Sequence, residues 1–240
     1  VWLNLGDSYA GSNSDKYSSP NKNTLSAKMG QTYGGIEKSI KAKVPGLKPK
    51  DLIGIPWRVA FALQADGWYL RSDIIWQKPN PMPESVKDRP TKSHEYIFLL
   101  TKSRKYYYDA DAIKEPTVSQ DKYKRDRDNP DYKFNNTPGR TKMSGLKDNN
   151  YEYRNKRDVW SINTKPYKEA HFAVFPEEIP MNCIKAGSPE DGVVLDPFVG
   201  SGTTLKVALQ LGRKAIGIDI NTEYLDLCIK RCNEIQNILI

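Results

Sequence analysis

The sequence predicts an α/β fold: a doubly wound, mostly parallel sheet with helices on both faces. The first observation is the stretch 192–220, in which an apolar run, a glycine turn, an amphipathic helix and a second apolar run follow one another. That order is the β-α-β unit from which parallel sheets are built. The second observation is a set of further apolar runs with the length of strands. We expect five strands to share one sheet: 1–5, 68–76, 94–101, 193–196 and 215–219.

The turn that follows the strand 193–196 has the composition of a nucleoside site. Pro197 ends the strand, and Gly200 and Gly202 let the backbone approach a ligand closely. A helix then opens at Thr203, and the next strand ends on Asp219. A carboxylate about twenty residues after a glycine turn is placed to bond ribose hydroxyls.

The groups that this turn lacks narrow the choice of nucleoside. A dinucleotide site has a third glycine where this chain has Leu205, and no Gly-Lys-Ser/Thr phosphate loop is present. Asp196 at the strand tip would repel a pyrophosphate and attract a cation. S-adenosylmethionine, which carries an amine and a sulfonium, therefore fits better, and its ribose can bond Asp219. A nicotinamide-type turn in an NAD-dependent oxidoreductase is the alternative.

Two segments resemble the DNA amino-methyltransferases, which methylate adenine N6 or cytosine N4. Asp196-Pro-Phe-Val-Gly-Ser-Gly-Thr-Thr204 resembles their cofactor motif. His171-Phe-Ala-Val-Phe-Pro-Glu-Glu178 resembles the segment that packs over the cofactor, although Phe172 stands where the family commonly has proline. Cofactor motifs near the C-terminus resemble the family's permuted β arrangement. The resemblance implies a Rossmann-like methyltransferase fold that binds S-adenosylmethionine through His171, Phe175, Pro176, Asp196, Pro197, Phe198, Gly200, Ser201, Gly202, Thr203, Thr204, Asp219 and Ile220.

The same resemblance implies a catalytic tetrapeptide, Asp or Ser followed by Pro-Pro-aromatic, which holds a base flipped out of the duplex. The sequence contains no such tetrapeptide, so we name no catalytic residue and expect the motif before Val1. Polar groups at the tip of the first strand are expected near the active site, with a simple turn as the alternative. The run containing them resembles Ser-headed members, which favours cytosine N4 over adenine N6. These residues are Asn4, Asp7, Ser8 and Tyr9.

Between the first strand and the cofactor half, the chain predicts a helix and a loop. Pro56 suits the first turn of a helix within 50–65. The loop 77–85 is stiffened by prolines and precedes the strand 94–101. His94, at the start of that strand, is either a functional group or a hydrogen-bonded structural histidine.

Positive charge is concentrated in two segments of a chain whose net charge is +8. Residues 10–50 carry eight Lys against two acidic residues, and residues 102–157 carry fifteen Lys and Arg against nine acidic residues. Such segments suit a polyanion, and double-stranded DNA is the expected partner. We expect 10–50 to be a mobile basic loop and 102–157 to be the target-recognition region, inserted between core segments 1–101 and 158–240. Candidate DNA contacts are Lys122, Lys124, Arg125, Arg127, Lys133, Arg140 and Lys142.

Composition excludes several other classes of protein. Three cysteines are an odd count without paired spacing, which argues against a disulfide framework. Two histidines cannot build a zinc site unaided, so no metal is expected. No apolar run approaches membrane length. We expect a cytoplasmic, bacterial or phage-encoded protein of a restriction-modification system, and a homodimer stays open. An RNA methyltransferase and a catalytically inactive DNA-binding homologue are further alternatives.

Overall fold

The computed structural model describes residues 1–10, 46–117, 152–164 and 175–236. These residues form two compact units. Unit 1 comprises Val1–Gln77 and Pro81–Arg104, and unit 2 comprises Lys78–Asn80 and Lys105–Ile240. Most of the lysine-rich loop and most of the expected recognition region lie outside the described residues.

Unit 1 is an antiparallel sheet that packs against one helix. The strands are β1 (Trp2–Leu5), β2 (Tyr69–Gln77) and β3 (His94–Thr101), and the helix is α1 (Ile55–Ala65). β3 pairs antiparallel with both β1 and β2, so it is flanked on each side. β-branched and aromatic residues make up four of the nine residues of β2 and four of the eight residues of β3, and such residues suit strands half-buried on a sheet.

The core of unit 1 forms where α1 meets β3. Ala60, Phe98 and Leu100 have no exposed surface. Trp57 of α1 packs edge-on against Phe98, with ring centroids 5.2 Å apart, and against Tyr96 at 5.7 Å. The predicted helix therefore packs on the sheet through an apolar face.

Unit 2 contains the β-α-β unit that the sequence predicted. β7 (Val193–Asp196) pairs in parallel with β8 (Lys214–Gly217), and α3 (Thr203–Gln210) connects them. α2 (Glu178–Gly187) precedes β7, and α4 (Thr222–Gln236) follows β8. Val207 and Ala208 of α3 are fully buried against Ile184 of α2.

Short elements complete unit 2. They are a single 3-10 turn (Asp111–Ile113), β4 (Glu115–Pro116), β5 (Tyr153–Arg154) and β6 (Val159–Ser161). β4 and β5 pair antiparallel, and Glu115 of β4 accepts hydrogen bonds from Arg154 at 2.8 Å and from Arg157 at 2.6 Å. The two guanidinium groups hold the pKa of the Glu115 carboxyl below its ordinary value.

The prediction of one mostly parallel sheet is wrong for the described strands. β1 and β7 lie in different sheets and in different compact units, and only β7 and β8 are shown as a parallel pair. The reason lies in the connections. Parallel neighbours need a crossover that is usually helical, and α3 supplies one, whereas the stretch 78–93 between β2 and β3 contains no helix. The α/β class itself is confirmed.

Two properties of the described residues bear on function. Among them, every helix is too short or too polar to traverse a bilayer. The same residues contain no cluster of three or more His, Cys, Asp or Glu side chains arranged to hold a metal ion.

Candidate functional site

The tips of β7 and β8 are joined by backbone hydrogen bonds around the glycine turn. The amide of Ile218 donates to the carbonyl of Asp196 at 2.9 Å. The amide of Val199 in turn donates to the carbonyl of Ile218 at 3.0 Å. The turn after β7 therefore lies directly beside the residues that follow β8. This is the edge of a parallel pair at which α/β folds bind ligands.

Two carboxylates lie at this edge, and both help to shape it. Asp219 accepts the amide of Gly200 through Oδ2 and the amide of Asn221 through Oδ1, each at 2.9 Å. Asp196 accepts the amide of Phe198 through Oδ1 at 3.0 Å. Both residues are partly exposed, and a carboxylate oxygen has capacity for a second hydrogen bond. They can therefore bind a ligand while they hold the turn.

The two glycines of the turn have different roles. Gly200 has φ +48°, and a Cβ at this position would meet nothing within 4 Å, so its backbone faces open space. Gly202 has φ +82°, and a Cβ there would lie 2.6 Å from Sγ and 3.0 Å from Cα of Cys228 on α4. We predicted both glycines to admit a ligand. At Gly202, the group that comes close is helix α4.

Large apolar side chains project into solvent around the same edge. Phe198 is 86% exposed and Ile220 is fully exposed. Pro197 is also exposed. Exposed apolar side chains of this size beside partly exposed carboxylates are typical of a ligand site that combines an apolar surface with a few polar groups.

The other predicted cofactor residues are only partly described. Phe175 is half-buried and Pro176 is buried immediately before α2, and Thr203 is buried at the start of α3. Ser201 and Thr204 are half-buried in the turn and the first turn of α3. His171 lies outside the described residues, as do all seven candidate DNA contacts from Lys122 to Lys142.

Arg231, Glu177 and Lys206 also contribute to this region, and the sequence analysis missed them. Arg231 is only 7% exposed and donates to Ser201 and Thr203. Glu177 accepts a hydrogen bond from Lys206 at 2.7 Å. A signal for Arg231 was present, because it lies three residues after Cys228 and four before Ile235, on the face that α4 buries.

The tip of β1 holds the polar groups predicted near an active site, and the structure gives them structural partners. Asp7 Oδ1 accepts the amides of Ser8 at 2.8 Å and of Gly54 and Ile55 at 3.0 Å each. Gly54 precedes α1 and has no side chain to cap it, so Asp7 supplies the acceptor that the helix start needs.

The neighbours of Asp7 are engaged in the same way. Asn4 Nδ2 donates to Oε2 of Glu95 at 3.2 Å and to the carbonyl of Tyr96 at 3.1 Å. The Arg89 guanidinium lies 4.1 Å from the ring centroid of Tyr9. These contacts give Asn4, Asp7 and Tyr9 partners within unit 1, and the place of this stretch near an active site stays a prediction.

His94, which the sequence left open, lies at the start of β3. Its ring packs edge-on against Tyr96, with centroids 5.4 Å apart. This contact fits a structural histidine within unit 1.

Comparison with known proteins identifies relatives over nearly the whole chain. A family model described as DNA methylase matches residues 1–230. The Type II methyltransferases M.Cfr9I of Citrobacter freundii and M.SmaI of Serratia marcescens are each 47% identical over 232 residues, which is 96% of this chain. The chain spans 64% of the length of the first relative and 66% of the second.

Two solved structures share the fold. The PvuII DNA methyltransferase (cytosine-N4-specific) superposes with a TM-score of 0.55 at 18% identity, covering 82% of this chain and 65% of that one. The M1.HpyAVI–SAM complex superposes with a TM-score of 0.50 at 22% identity, covering 75% of this chain and 70% of that one.

Proposed function

The chain belongs to the DNA methylase family, and from this premise we propose that it binds S-adenosylmethionine and methylates an exocyclic amine of a base in DNA. The observation that carries the proposal is the glycine turn between β7 and α3, where Asp219 bonds the amide of Gly200 at 2.9 Å. A nucleoside site at the tips of parallel strands needs an open backbone turn and a carboxylate beside it. This turn has both.

The residues at the turn fit this cofactor in shape and charge. The open space beside Gly200 leaves room for a ligand to approach the backbone. The Asp219 carboxylate can accept ribose hydroxyls, since each of its oxygens accepts a single amide hydrogen bond from Gly200 or Asn221. The exposed side chains of Phe198 and Ile220 offer apolar surface to the adenine ring.

Asp196 is the group suited to the cationic part of the cofactor. It lies at the end of β7, and its Oδ1 is held by the amide of Phe198 at 3.0 Å. A carboxylate at this position favours an amine and a sulfonium and disfavours a pyrophosphate. This preference supports S-adenosylmethionine over a dinucleotide. When bound, S-adenosylmethionine supplies a methyl group on a sulfonium that is a good leaving group.

Cofactor choice is tested by calorimetric titration of the chain with S-adenosylmethionine and, separately, with NAD. The proposal expects binding of the first ligand only. Binding of NAD alone would replace the methyltransferase assignment with an oxidoreductase.

Methyl transfer also requires the family's Asp/Ser-Pro-Pro-aromatic tetrapeptide, which the sequence lacks. We propose that methyl transfer by this chain needs such a tetrapeptide to be supplied to it. The test is a fusion of the chain to a peptide that carries this tetrapeptide, assayed for methyl transfer to duplex DNA. A matched fusion with the tetrapeptide replaced by alanines is the control. Equal activity in the two fusions would contradict this step.

The target is proposed to be N4 of cytosine within a specific duplex sequence, in a bacterial restriction-modification system. The run Asn4 to Tyr9 supports N4 through its resemblance to Ser-headed members. Digestion of DNA methylated by the active fusion, followed by mass spectrometry of the nucleosides, distinguishes N4-methylcytosine from N6-methyladenine. Methylation of RNA in preference to duplex DNA would exclude this substrate.

The two basic segments are proposed to bind the DNA. Residues 10–50 are rich in lysine and serine, and are expected to attract all sequences through phosphate contacts, with affinity that falls steeply as salt rises. Residues 102–157 add aromatic and amide side chains that can read base edges, so they are expected to determine the target. Exchange of 102–157 for the corresponding segment of M.Cfr9I or another relative should therefore transfer that relative's target preference. An unchanged preference would contradict the recognition assignment.

A further inference from the structure

The guanidinium of Arg231 is the centre of a buried hydrogen-bond network beneath the glycine turn. Its Nη1 donates to the carbonyl of Ser201 at 2.7 Å, to Oγ of Ser201 at 2.9 Å and to Oγ1 of Thr203 at 3.3 Å. The Arg231 side chain is only 9% exposed, and Thr203 is 3% exposed. The network therefore joins α4 to the residues on either side of Gly202.

Because the Arg231 guanidinium is buried, its hydrogen bonds restrict where the atoms that accept them can lie. A guanidinium cannot lose its charge in a protein, so its removal from water must be compensated by acceptors at fixed positions. Here one backbone carbonyl and two hydroxyls are among those acceptors, all on Ser201 and Thr203. Movement of the turn away from α4 would leave a buried charge with fewer partners. The network consequently resists such movement.

A second arm of the network reaches the residues before α2. Nη2 of Arg231 lies 3.8 Å from Oε1 of Glu177, and the same oxygen accepts a hydrogen bond from Lys206 Nζ at 2.7 Å. Glu177 directly follows Phe175 and Pro176. Arg231 thus interacts with the end of that segment as well as with the glycine turn. Both belong to the same unit.

The contact of Cys228 with Gly202 lies one helical turn away on α4. It limits how closely the turn can approach the helix, since Cys228 atoms occupy the space where a Gly202 side chain would begin. Packing of this kind fixes the distance between the glycine turn and α4. The hydrogen bonds of Arg231 add the orientation, because they are made to particular atoms of Ser201 and Thr203.

We propose that Arg231 is a positioning residue for cofactor binding, which holds the turn 200–204 in its binding conformation before the ligand arrives. The inference rests on the proposed function of this turn. A turn that is already ordered loses less conformational entropy when a ligand binds, so preorganisation raises affinity without any direct contact between Arg231 and the ligand. The conformation to be maintained is a demanding one, since Gly200 and Gly202 both have positive φ.

The experiment measures the affinity of the chain for S-adenosylmethionine by calorimetry, with three variants. Arg231→Met keeps the length and apolar stem of the side chain but removes all donors, and is expected to weaken binding roughly tenfold, the equivalent of one lost hydrogen bond to a charged group. Arg231→Lys retains a charge and should recover part of the loss. Lys230→Met is the matched control, because Lys230 is the exposed neighbour on the same helix and should leave affinity unchanged.

Two further readouts separate positioning from stability. Titrations are made at a temperature at which thermal melts show every variant folded. Amide hydrogen exchange is then compared at residues 200–204 and at β7. If Arg231 positions the turn, the amides of residues 200–204 should exchange faster in Arg231→Met, while those of β7 change little. The proposal would be overturned if Arg231→Met had a lower melting temperature, or faster exchange throughout unit 2, and still bound S-adenosylmethionine with wild-type affinity. Arg231 would then be a purely structural residue.

A double-mutant cycle covers the case in which Arg231→Met does not fold. Ser201→Ala removes only the hydroxyl acceptor at 2.9 Å and should weaken binding less than Arg231→Lys does. Combined with Arg231→Lys, it should cost less than the sum of the two single effects, because the shared contact is lost once. Additive effects would overturn the proposal. If the unsubstituted chain fails to bind S-adenosylmethionine at all, the proposed function has failed, which this comparison distinguishes from failure of the inference.

Discussion

The tips of β1 and β7 read alike in the sequence and have different partners in the structure. Each tip carries an aspartate close to a glycine and a hydroxyl. At β1, three backbone amides converge on one oxygen of Asp7, and two of them belong to the start of α1. At β7, Oδ1 of Asp196 accepts one amide, and the carboxylate of Asp219 beyond β8 accepts one amide on each oxygen. A carboxylate that caps a helix is committed to the fold, whereas one that holds a turn by single bonds can still bind a ligand.

The largest difference between the tips should appear on substitution of Gly202. Gly202→Ala introduces a Cβ only 2.6 Å from Cys228 Sγ and 3.0 Å from its backbone Cα, at φ +82°. Overpacking against backbone together with a left-handed conformation should lower the free energy of unfolding by roughly 3 kcal/mol or more and abolish cofactor binding. Urea denaturation and calorimetry measure the two effects.

Gly212→Ala is the control for this substitution. Gly212 follows α3 with φ +70°, yet a Cβ there meets nothing within 4 Å. Gly212→Ala should lower the free energy of unfolding by about 1 kcal/mol, the penalty of the left-handed conformation alone. Equal losses for the two variants would mean that backbone conformation, and not the approach of α4, accounts for Gly202.

The next effect is expected at the tip of β1. Asp7→Ala removes the acceptor for the amides of Ser8, Gly54 and Ile55 and should lower the free energy of unfolding by about 2 kcal/mol. Asp7→Asn keeps one carbonyl oxygen and should lose less. Affinity for S-adenosylmethionine should stay within twofold of the unsubstituted chain, measured where both variants are folded. A large loss of affinity in Asp7→Asn would instead place this tip in the ligand site.

The positions of the strands could be predicted from the sequence, but the way in which the strands pair could not. Apolar runs located β1, β2, β3, β7 and β8 to within a few residues, because burial of a strand requires such runs. The direction in which strands pair depends on which runs meet in space, and the helix-free stretch 78–93 allowed the antiparallel arrangement of β2 and β3. The glycine turn could also be predicted, because all residues of the cofactor motif that form it are adjacent in the sequence.

Roles that depend on distant partners could not be derived from local sequence. Asp7 became a cap because Gly54, far along the chain, offers an uncapped helix start. Gly202 is required by Cys228, and Ser201 is held by Arg231, from a helix whose approach nothing in the turn itself indicates. A motif therefore shows where a turn is, and the contacts around it show what each residue does.

A smaller effect, on affinity alone, is expected at the tip of β8. Asp219→Asn keeps one acceptor oxygen for the turn but removes the charge and the second acceptor. Affinity for S-adenosylmethionine should fall about tenfold, the cost of one charged hydrogen bond to a ribose hydroxyl. Stability should change by less than in Asp7→Ala, since one carbonyl oxygen can still accept the amide of Gly200 or of Asn221. Unchanged affinity by calorimetry would show that the ribose is held elsewhere.

The smallest effect concerns the thiol that packs on the glycine turn. Burial raises the pKa of Cys228 from 9.0 to about 11, so the neutral thiol is the form that the fold favours. At pH 8 only about one molecule in a thousand would carry a thiolate there. Alkylation of Cys228 by iodoacetamide, followed by peptide mapping, should be slow in the native chain and should speed up about tenfold per pH unit toward pH 11.

The sign of the stability change follows from the direction of the same shift. Because the pKa of Cys228 is higher in the folded chain than in the unfolded one, its contribution is fully present below pH 9.0 and is lost as the pH rises toward 11. Unfolding measured over that range should therefore become easier as the pH rises. The Asp7 cap consists of a carboxylate that accepts backbone amides, so it should hold over the same range. Rapid alkylation at pH 8 would mean that α4 separates readily from Gly202, and the turn would then lack the support that distinguishes it from the tip of β1.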